Sequence, residues 1–362
     1  MTPQSEEELA GMIANADAPL RVQGGGTRGL HGAGAPLHTG GLSGIVLYEP
    51  GALTLVARAG TPLHEVEATL DAGGQRLAFE PMDARGLLGT QGTPTVGGMA
   101  AANVSGPRRI QAGACRDFML GVRFVDGTGR VVSNGGRVMK NVTGYDLVKL
   151  MAGSYGTLGV LTEVAFKVLP KPAAQATLVI EGLDVTTAVA VMSRALGSPF
   201  DVSGAAHLPG AGRTLLRIEG FAQSVAYRAG ELRALFADHA PRLEDDGAAV
   251  DAIWRDIRDV ASFHGRDGDV WRIACKPSDA PDVAARLGGD LLLDWGGGLV
   301  WACLPAGFDA RAALSGIGGH ATVVRGAARP LFQPEPAPVA ALSAGLRARF
   351  DPRGILNPGL MS

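Results

Sequence analysis

At 362 residues, 46% of them hydrophobic, and with a formal net charge of -2, the chain is long enough for two domains with substantial cores. A pI near 6.4, and no window that combines Lys and Arg with aromatics, exclude a nucleic-acid binder. Three scattered cysteines, Cys115, Cys275 and Cys303, exclude a disulfide framework, a zinc site or an iron–sulfur cluster and fit a reducing compartment. The acidic N-terminus is unlike a signal peptide, and the most apolar stretch, 291–306, is short and broken by Asp294 and glycines. A cytoplasmic protein with no membrane span of its own is expected, any membrane contact running through a partner.

Ser5 with Glu8 makes a capping box for a helix to about Asn15, and a short strand, Leu20–Gln23, follows. It feeds Gly24-Gly25-Gly26-Thr27-Arg28-Gly29, which spells GxGxxG. That motif marks a dinucleotide-binding Rossmann unit only between a strand and a helix. Here Gly32, Gly34 and Pro36 cannot propagate a helix, and Glu49, placed where a ribose-binding acid would lie, merely ends an apolar strand before Pro50. A glycine run without a helix still forms a nest, turning successive main-chain N–H groups inward to hold a pyrophosphate. The alternative is a plain surface turn.

Strands over 44–48 and 53–58 flank the hairpin residues Glu49-Pro50-Gly51, and Thr61 and Pro62 open a helix that Gly73-Gly74 close. Pro94-Thr95-Val96-Gly97-Gly98 is a second glycine-rich entry, leading into a small-residue helix, 99–103, that admits close approach by a flat ligand. A hairpin over 118–133, a helix over 146–151 and a strand over 158–169 complete the first half. Pro170-Lys171-Pro172 then sets a boundary between domains 1–171 and 172–349. Beyond it, strands near 176–181, 201–207, 214–220, 270–275, 290–293, 299–304 and 320–325 alternate with helices near 185–196, 223–237, 250–262, 279–287 and 337–349. That is the rhythm of an antiparallel sheet with helices on one face, ferredoxin-like in plan. The tail, 350–362, has turn chemistry and is expected to return to the first domain. No internal repeat is evident in the sequence.

The most specific block runs from Gly136 to Lys167 and includes Lys140-Asn141-Val142-Thr143-Gly144-Tyr145-Asp146. With the two glycine runs it resembles the FAD-binding family of vanillyl-alcohol oxidase and p-cresol methylhydroxylase, over most of the chain, and within it the glycolate and D-2-hydroxyacid branch. The resemblance implies an α+β fold: a two-subdomain PCMH-type FAD-binding domain, a ferredoxin-like antiparallel cap domain, and a tail packed back on the first. It implies noncovalent FAD, because Thr27 stands where covalently linked members often carry His, and His31 comes four residues later. The pyrophosphate is then expected at Gly24, Gly25, Gly26, Thr27, Arg28, Gly29, Pro94, Thr95, Gly97 and Gly98. Asn103, Ser105 and Gly106 are expected beside the flavin, and Gly156, Thr157, Val160, Thr162 and Glu163 at the adenosine half. Asn357 reaches the flavin ring by resemblance, or else caps the turn before Pro358.

Three later segments, 270–277, 294–298 and 319–326, resemble the smaller FAD-binding subunits of bacterial glycolate oxidases. Such subunits pair with a larger FAD-binding subunit and an iron–sulfur subunit. The larger ones carry paired histidines and an acid for a divalent metal, whereas the seven histidines here show no ligand spacing, so no metal is expected. The resemblance implies oxidation of glycolate, or another small 2-hydroxy acid, by hydride transfer to flavin. Arg272 and Arg325 are candidate carboxylate clamps, since guanidinium pairs bidentately with carboxylate, and His320 is a candidate base. Two assignments stay open: a catalytic subunit passing electrons to the iron–sulfur partner, or a non-catalytic flavin-bearing or scaffolding subunit whose larger paralogous partner does the chemistry.

Overall fold

The structure, a computed structural model, describes residues 1–30, 32–136 and 144–361; His31 and positions 137–143 of the long specific block lie outside the described residues. The first helix, Glu6–Ala14, is capped by Ser5, whose side chain accepts from the Glu8 N–H. The strand Leu20–Gln23 runs parallel to a second strand, Ala35–His38, which has no clear sequence signature. Among the described residues no helix lies between them, and the first glycine run follows the first of two short strands as a loop.

Five antiparallel strands follow, in the spatial order Ile45–Glu49, Thr54–Arg58, Val160–Lys167, Met119–Val125, Val131–Gly135. Two local expectations are corrected. Pro62 takes the cap position of the helix Leu63–Ala72, because the Thr61 hydroxyl is turned onto the carbonyls of Arg58 and Gly44. The helix at the second glycine run is Val96–Ala101 and starts before Met99, because the Thr95 side chain caps it by accepting from the Gly98 N–H.

The second sheet has eight strands, ordered Arg242–Glu244, Ala174–Glu181, Arg213–Gly220, Val202–Leu208, Asp290–Asp294, Leu299–Leu304, Asp269–Ala274, His320–Arg325. Taken in chain order these are two βαββαβ units, each with the ferredoxin-like order 4-1-3-2, joined edge to edge where His207 pairs with Leu293. The topology therefore repeats although the sequence does not. Alternating apolar patterns specify a strand without specifying which residues fill it, so duplicated units keep a plan long after their residues diverge.

Strand alternation gives this sheet two different faces. Leu178, Ile180, Leu216, Ile218, Ile273 and Val300 pack against its own helices, Val185–Leu196, Ala222–Leu235 and Ala280–Leu287. Val179, Leu215, Val270, Leu292 and Trp301 instead join the core of the first half, with Phe79, Leu87 and Phe166. A buried ion-pair network crosses the same boundary: Arg108 pairs bidentately with Glu219 (2.8 and 2.7 Å) and Arg217 with Glu80 (2.8 and 2.8 Å). The tail lies on the first half, the Leu20 N–H donating to the Ile355 carbonyl at 2.7 Å and the Asn357 N–H to the Leu20 carbonyl at 2.9 Å. Among the described residues no helix is long and apolar enough to cross a membrane.

Candidate functional site: a glycine-walled cleft beside an arginine pair

The two glycine runs meet at one open cleft. Gly24, Gly25, Gly26, Thr27, Arg28 and Gly29 form one wall and Pro94, Thr95, Gly97 and Gly98 another, with Gly156, Val160 and Asn357 completing it. The loops interlock through bare backbone. A Cβ on Gly25 would overlap the Thr93 carbonyl, and one on Gly92 would overlap the Gly25 carbonyl. Carbonyls of this region are tied down: the Thr90 hydroxyl donates to the Thr27 carbonyl (2.8 Å) and the Arg85 guanidinium to that of Gly92 (3.2 Å). The main-chain N–H groups of Gly25 to Gly29, by contrast, donate to no protein acceptor among the described residues. Free donors on a fixed loop facing a cleft are an anion cradle, and that chemistry fits the pyrophosphate of a dinucleotide.

The remaining expected residues divide. Asn357 lines the cleft, but both ends of its buried amide are used: Oδ1 accepts from the Val22 N–H at 2.7 Å and Nδ2 donates to the Tyr155 carbonyl at 2.8 Å. It therefore stitches the strand, the 153–157 loop and the tail together. Asn103, Ser105 and Gly106 stand just beyond the cleft. Asn103 Oδ1 accepts from the Arg116 N–H, Ser105 Oγ accepts from the Cys115 N–H, and the Gly106 carbonyl accepts from Trp295 Nε1, each at 3.0 Å. Their neighbours Ala101, Ala102 and Val104 supply the wall. Thr157 donates within its own turn, to the Ser154 carbonyl. Thr162 and Glu163 point elsewhere: Thr162 bonds Glu6 on the first helix, and Glu163 sits in register with Arg58 and Arg123 on the neighbouring strands. Pro81, Met82, Ala84, Tyr155 and Leu360 line the cleft without having been expected there, as does Leu161, beside Val160 within the expected stretch 160–163. The first five are not on that strand; they come from loops and the tail, which carry no periodic signal.

Of the expected catalytic set, Arg325 is corrected. Its guanidinium donates to the carbonyls of Leu87 (2.8 Å), Phe263 (3.2 Å) and Arg266 (2.6 Å), which makes it a latch between the two halves and leaves it little to offer a substrate carboxylate. Arg272 lies against Trp295, its guanidinium carbon 5.2 Å from the ring centroid, and Arg109 approaches the same ring at 4.6 Å. Burial, partly offset by Tyr155 and reinforced by the charges of Arg109 and Arg28, pushes the Arg272 guanidinium down to about 10. His320 begins the edge strand next to this pair and is exposed; partial desolvation, then the charges of Arg272 and Arg109, lower its imidazole from the usual value. Burial pushes the Asp294 carboxyl up to about 7. Arg109 was missed although it adjoins the segment 102–107; of the adjacent pair Arg108-Arg109, the first serves the ion-pair network and the second the Trp295 face. Among the described residues no group of three or more His, Cys, Asp or Glu is arranged to hold a metal.

A family described as "FAD binding domain" matches residues 1–135, the part of the chain that carries both glycine loops. Fold and cleft thus define a FAD-linked oxidoreductase with a PCMH-type FAD-binding domain and a large antiparallel second sheet. The chain is 37% identical over 348 residues to the glycolate oxidase subunit GlcE of Escherichia coli (strain K12), covering 95% of this chain and 92% of that one. It belongs to the GlcE family of glycolate oxidase subunits. It is also 42% identical over 84 residues to the glycolate oxidase subunit GlcD of Bacillus subtilis (strain 168), a match spanning 23% of this chain and 18% of that one. Among solved structures an alkyldihydroxyacetonephosphate synthase superposes with a TM-score of 0.71 at 16% identity, over 99% of this chain and 76% of that one, and shares the fold.

Proposed function

We propose that the chain is the smaller FAD-bearing subunit of a complex that oxidises glycolate to glyoxylate, working with a larger FAD-binding subunit and an iron–sulfur subunit. The observation that carries the reading is the row of free N–H donors at Gly25 to Gly29, set in a cleft walled by both glycine loops. Those donors and Arg28 hold the pyrophosphate, while Val160, Leu161 and the Ala101–Ala102 edge give a flat apolar wall to the rest of a noncovalently bound FAD. Thr27 offers no nucleophile of the kind that ties a flavin down. Bound flavin supplies the two-electron acceptor for the α-carbon hydride of a hydroxy acid. For the other half of that chemistry the chain offers Arg272 to hold the carboxylate and His320, its imidazole lowered from the usual value, to take the hydroxyl proton.

The test is anaerobic addition of glycolate to the purified chain and to the purified complex, followed through the flavin absorbance. Bleaching of the isolated chain's flavin is expected if this subunit catalyses. A flavin here that stays oxidised while the partner's bleaches would assign the chemistry to the larger subunit and leave this one a flavin-bearing scaffold. Isolation without flavin, and no uptake of added FAD, would overturn the reading altogether.

A further inference from the structure

The surroundings of Trp295 hold more positive charge than the fold uses. Arg109 and Arg272 approach one indole ring, at 4.6 and 5.2 Å, and neither guanidinium makes an ion pair or a hydrogen bond with any described residue. Arg108 and Arg217, by contrast, fork onto Glu219 and Glu80, and Arg325 donates to carbonyls. The acid acting on Arg272, Asp294, has an oxygen committed to the Trp295 N–H at 2.7 Å, and burial pushes its carboxyl up to about 7, while Arg109 feels the charge of Asp117 without pairing with it. Asp294 is a weak counter-charge.

Trp295 itself is placed at a cost. It adopts a left-handed conformation, φ +53, uncommon for a bulky side chain, and is fixed there by Asp294 and by its Nε1 donating across the domain boundary to the Gly106 carbonyl. A strained aromatic that carries two guanidinium planes on its ring leaves their N–H edges free for a planar, bidentate acceptor. Arg28 lines the cleft with the glycine loops, whereas Arg109 and Arg272 do not.

We propose that Arg109 and Arg272, held on Trp295 and backed by Arg28 at the cleft wall, form a second anion subsite that takes a small carboxylate. Arg109 comes from the first domain and Arg272 and Trp295 from the second, so the subsite is complete only when the two are docked. It rests on the reading that the adjoining cleft holds FAD, and it adds a residue, Arg109, and a division of labour: glycine N–H groups for the cofactor's phosphates, the arginine pair for the acid.

The probe is oxalate, a small planar carboxylate that cannot be oxidised as a 2-hydroxy acid, titrated into the full-length FAD-loaded chain. Binding is read by tryptophan fluorescence, by flavin difference absorbance and by calorimetry. Wild type is expected to bind saturably with a Kd in the range of about 0.01–5 mM. Arg109→Ala and Arg272→Ala should each weaken binding by about tenfold or more while FAD content stays at the wild-type level. Arg109→Lys and Arg272→Lys keep the charge and lose the fork, and should fall between; they also serve if an alanine variant fails to fold. Trp295→Phe should remove most of the fluorescence response. No saturable binding by wild type up to about 50 mM, or unchanged affinity in both the Ala and Lys variants, overturns the subsite. Oxalate binding in a chain that takes up no FAD would instead sink the cofactor reading and leave the subsite standing.

Discussion

Asn357 makes a claim about the cleft that a single substitution can decide. Its buried amide bridges the Val22 N–H (2.7 Å) and the Tyr155 carbonyl (2.8 Å), and its own main-chain N–H donates to Leu20 (2.9 Å). Its φ of +45 is one that Asn tolerates better than Ala. Asn357→Ala therefore removes two buried hydrogen bonds, at about 1 kcal/mol each, and strands a buried donor and acceptor, at about 1–3 kcal/mol apiece where no water reaches them. With relaxation shared between these terms, a loss of about 2–4 kcal/mol is expected in urea unfolding of the FAD-free chain. Because Val22, Tyr155 and Asn357 all line the cleft, FAD affinity should fall with it. Asn357→Asp keeps the acceptor for Val22, loses the donor to Tyr155 and places a charge against that carbonyl, so it should be no better than Ala. If Asn357→Ala leaves FAD-free stability unchanged and weakens only FAD binding, the side chain serves the flavin directly and the stitch is refuted.

Gly25→Ala should destabilise the chain with or without FAD, seen as a lower thermal midpoint in both forms, because the added methyl meets the Thr93 carbonyl and not the cofactor. Glu219→Ala takes from Arg76 its carboxylate and leaves Arg108 and Arg217 to share Glu80 in the domain boundary, and should cost about 3–5 kcal/mol of unfolding free energy. Burial opposes ionisation of Glu219, yet Arg217 and Arg108 hold it well below the usual carboxylate range, so its contribution is present above about pH 4.3 and is lost as pH falls through the folded value; Glu219→Gln should flatten the acid limb of the stability curve. Asp294 has the opposite sign: with its carboxyl near 7, against about 3.9 unfolded, the folded chain holds that proton more tightly, and the stability it contributes is full at low pH and lost as pH rises through 7. Asp294→Asn should remove that decline, gaining on the order of a few kcal/mol over wild type at pH 8 but not at pH 4, and equal pH profiles would contradict it.

Much of this architecture was legible because its signals are local. The glycine run at 24–29 lacked a following helix, the Pro170-Lys171-Pro172 break fell between the two sheets, and alternation placed most strands of the second one. What was hidden depends on contacts far apart in sequence. The two-unit plan of the eight-stranded sheet leaves only a shared rhythm in the residues. Arg325 read as well as Arg272 for a carboxylate clamp, since a sequence shows a guanidinium but not the three carbonyls around it. Thr162 and Glu163 lie beside cleft residues in sequence, and their side chains go to the first helix and to neighbouring strands. Arg109 and Trp295 are 186 positions apart and meet only because the domains dock.

The central claim, that the free N–H groups of Gly25 to Gly29 cradle a pyrophosphate, is tested most directly by titrating the flavin-free chain with FAD, FMN and riboflavin under one set of conditions. The cradle predicts that FAD binds at least about 100-fold more tightly than riboflavin, with FMN between them, since only FAD carries both phosphates and the adenosine half. Equal affinity for FAD and riboflavin would mean that the glycine loops hold no phosphate, and would contradict the account.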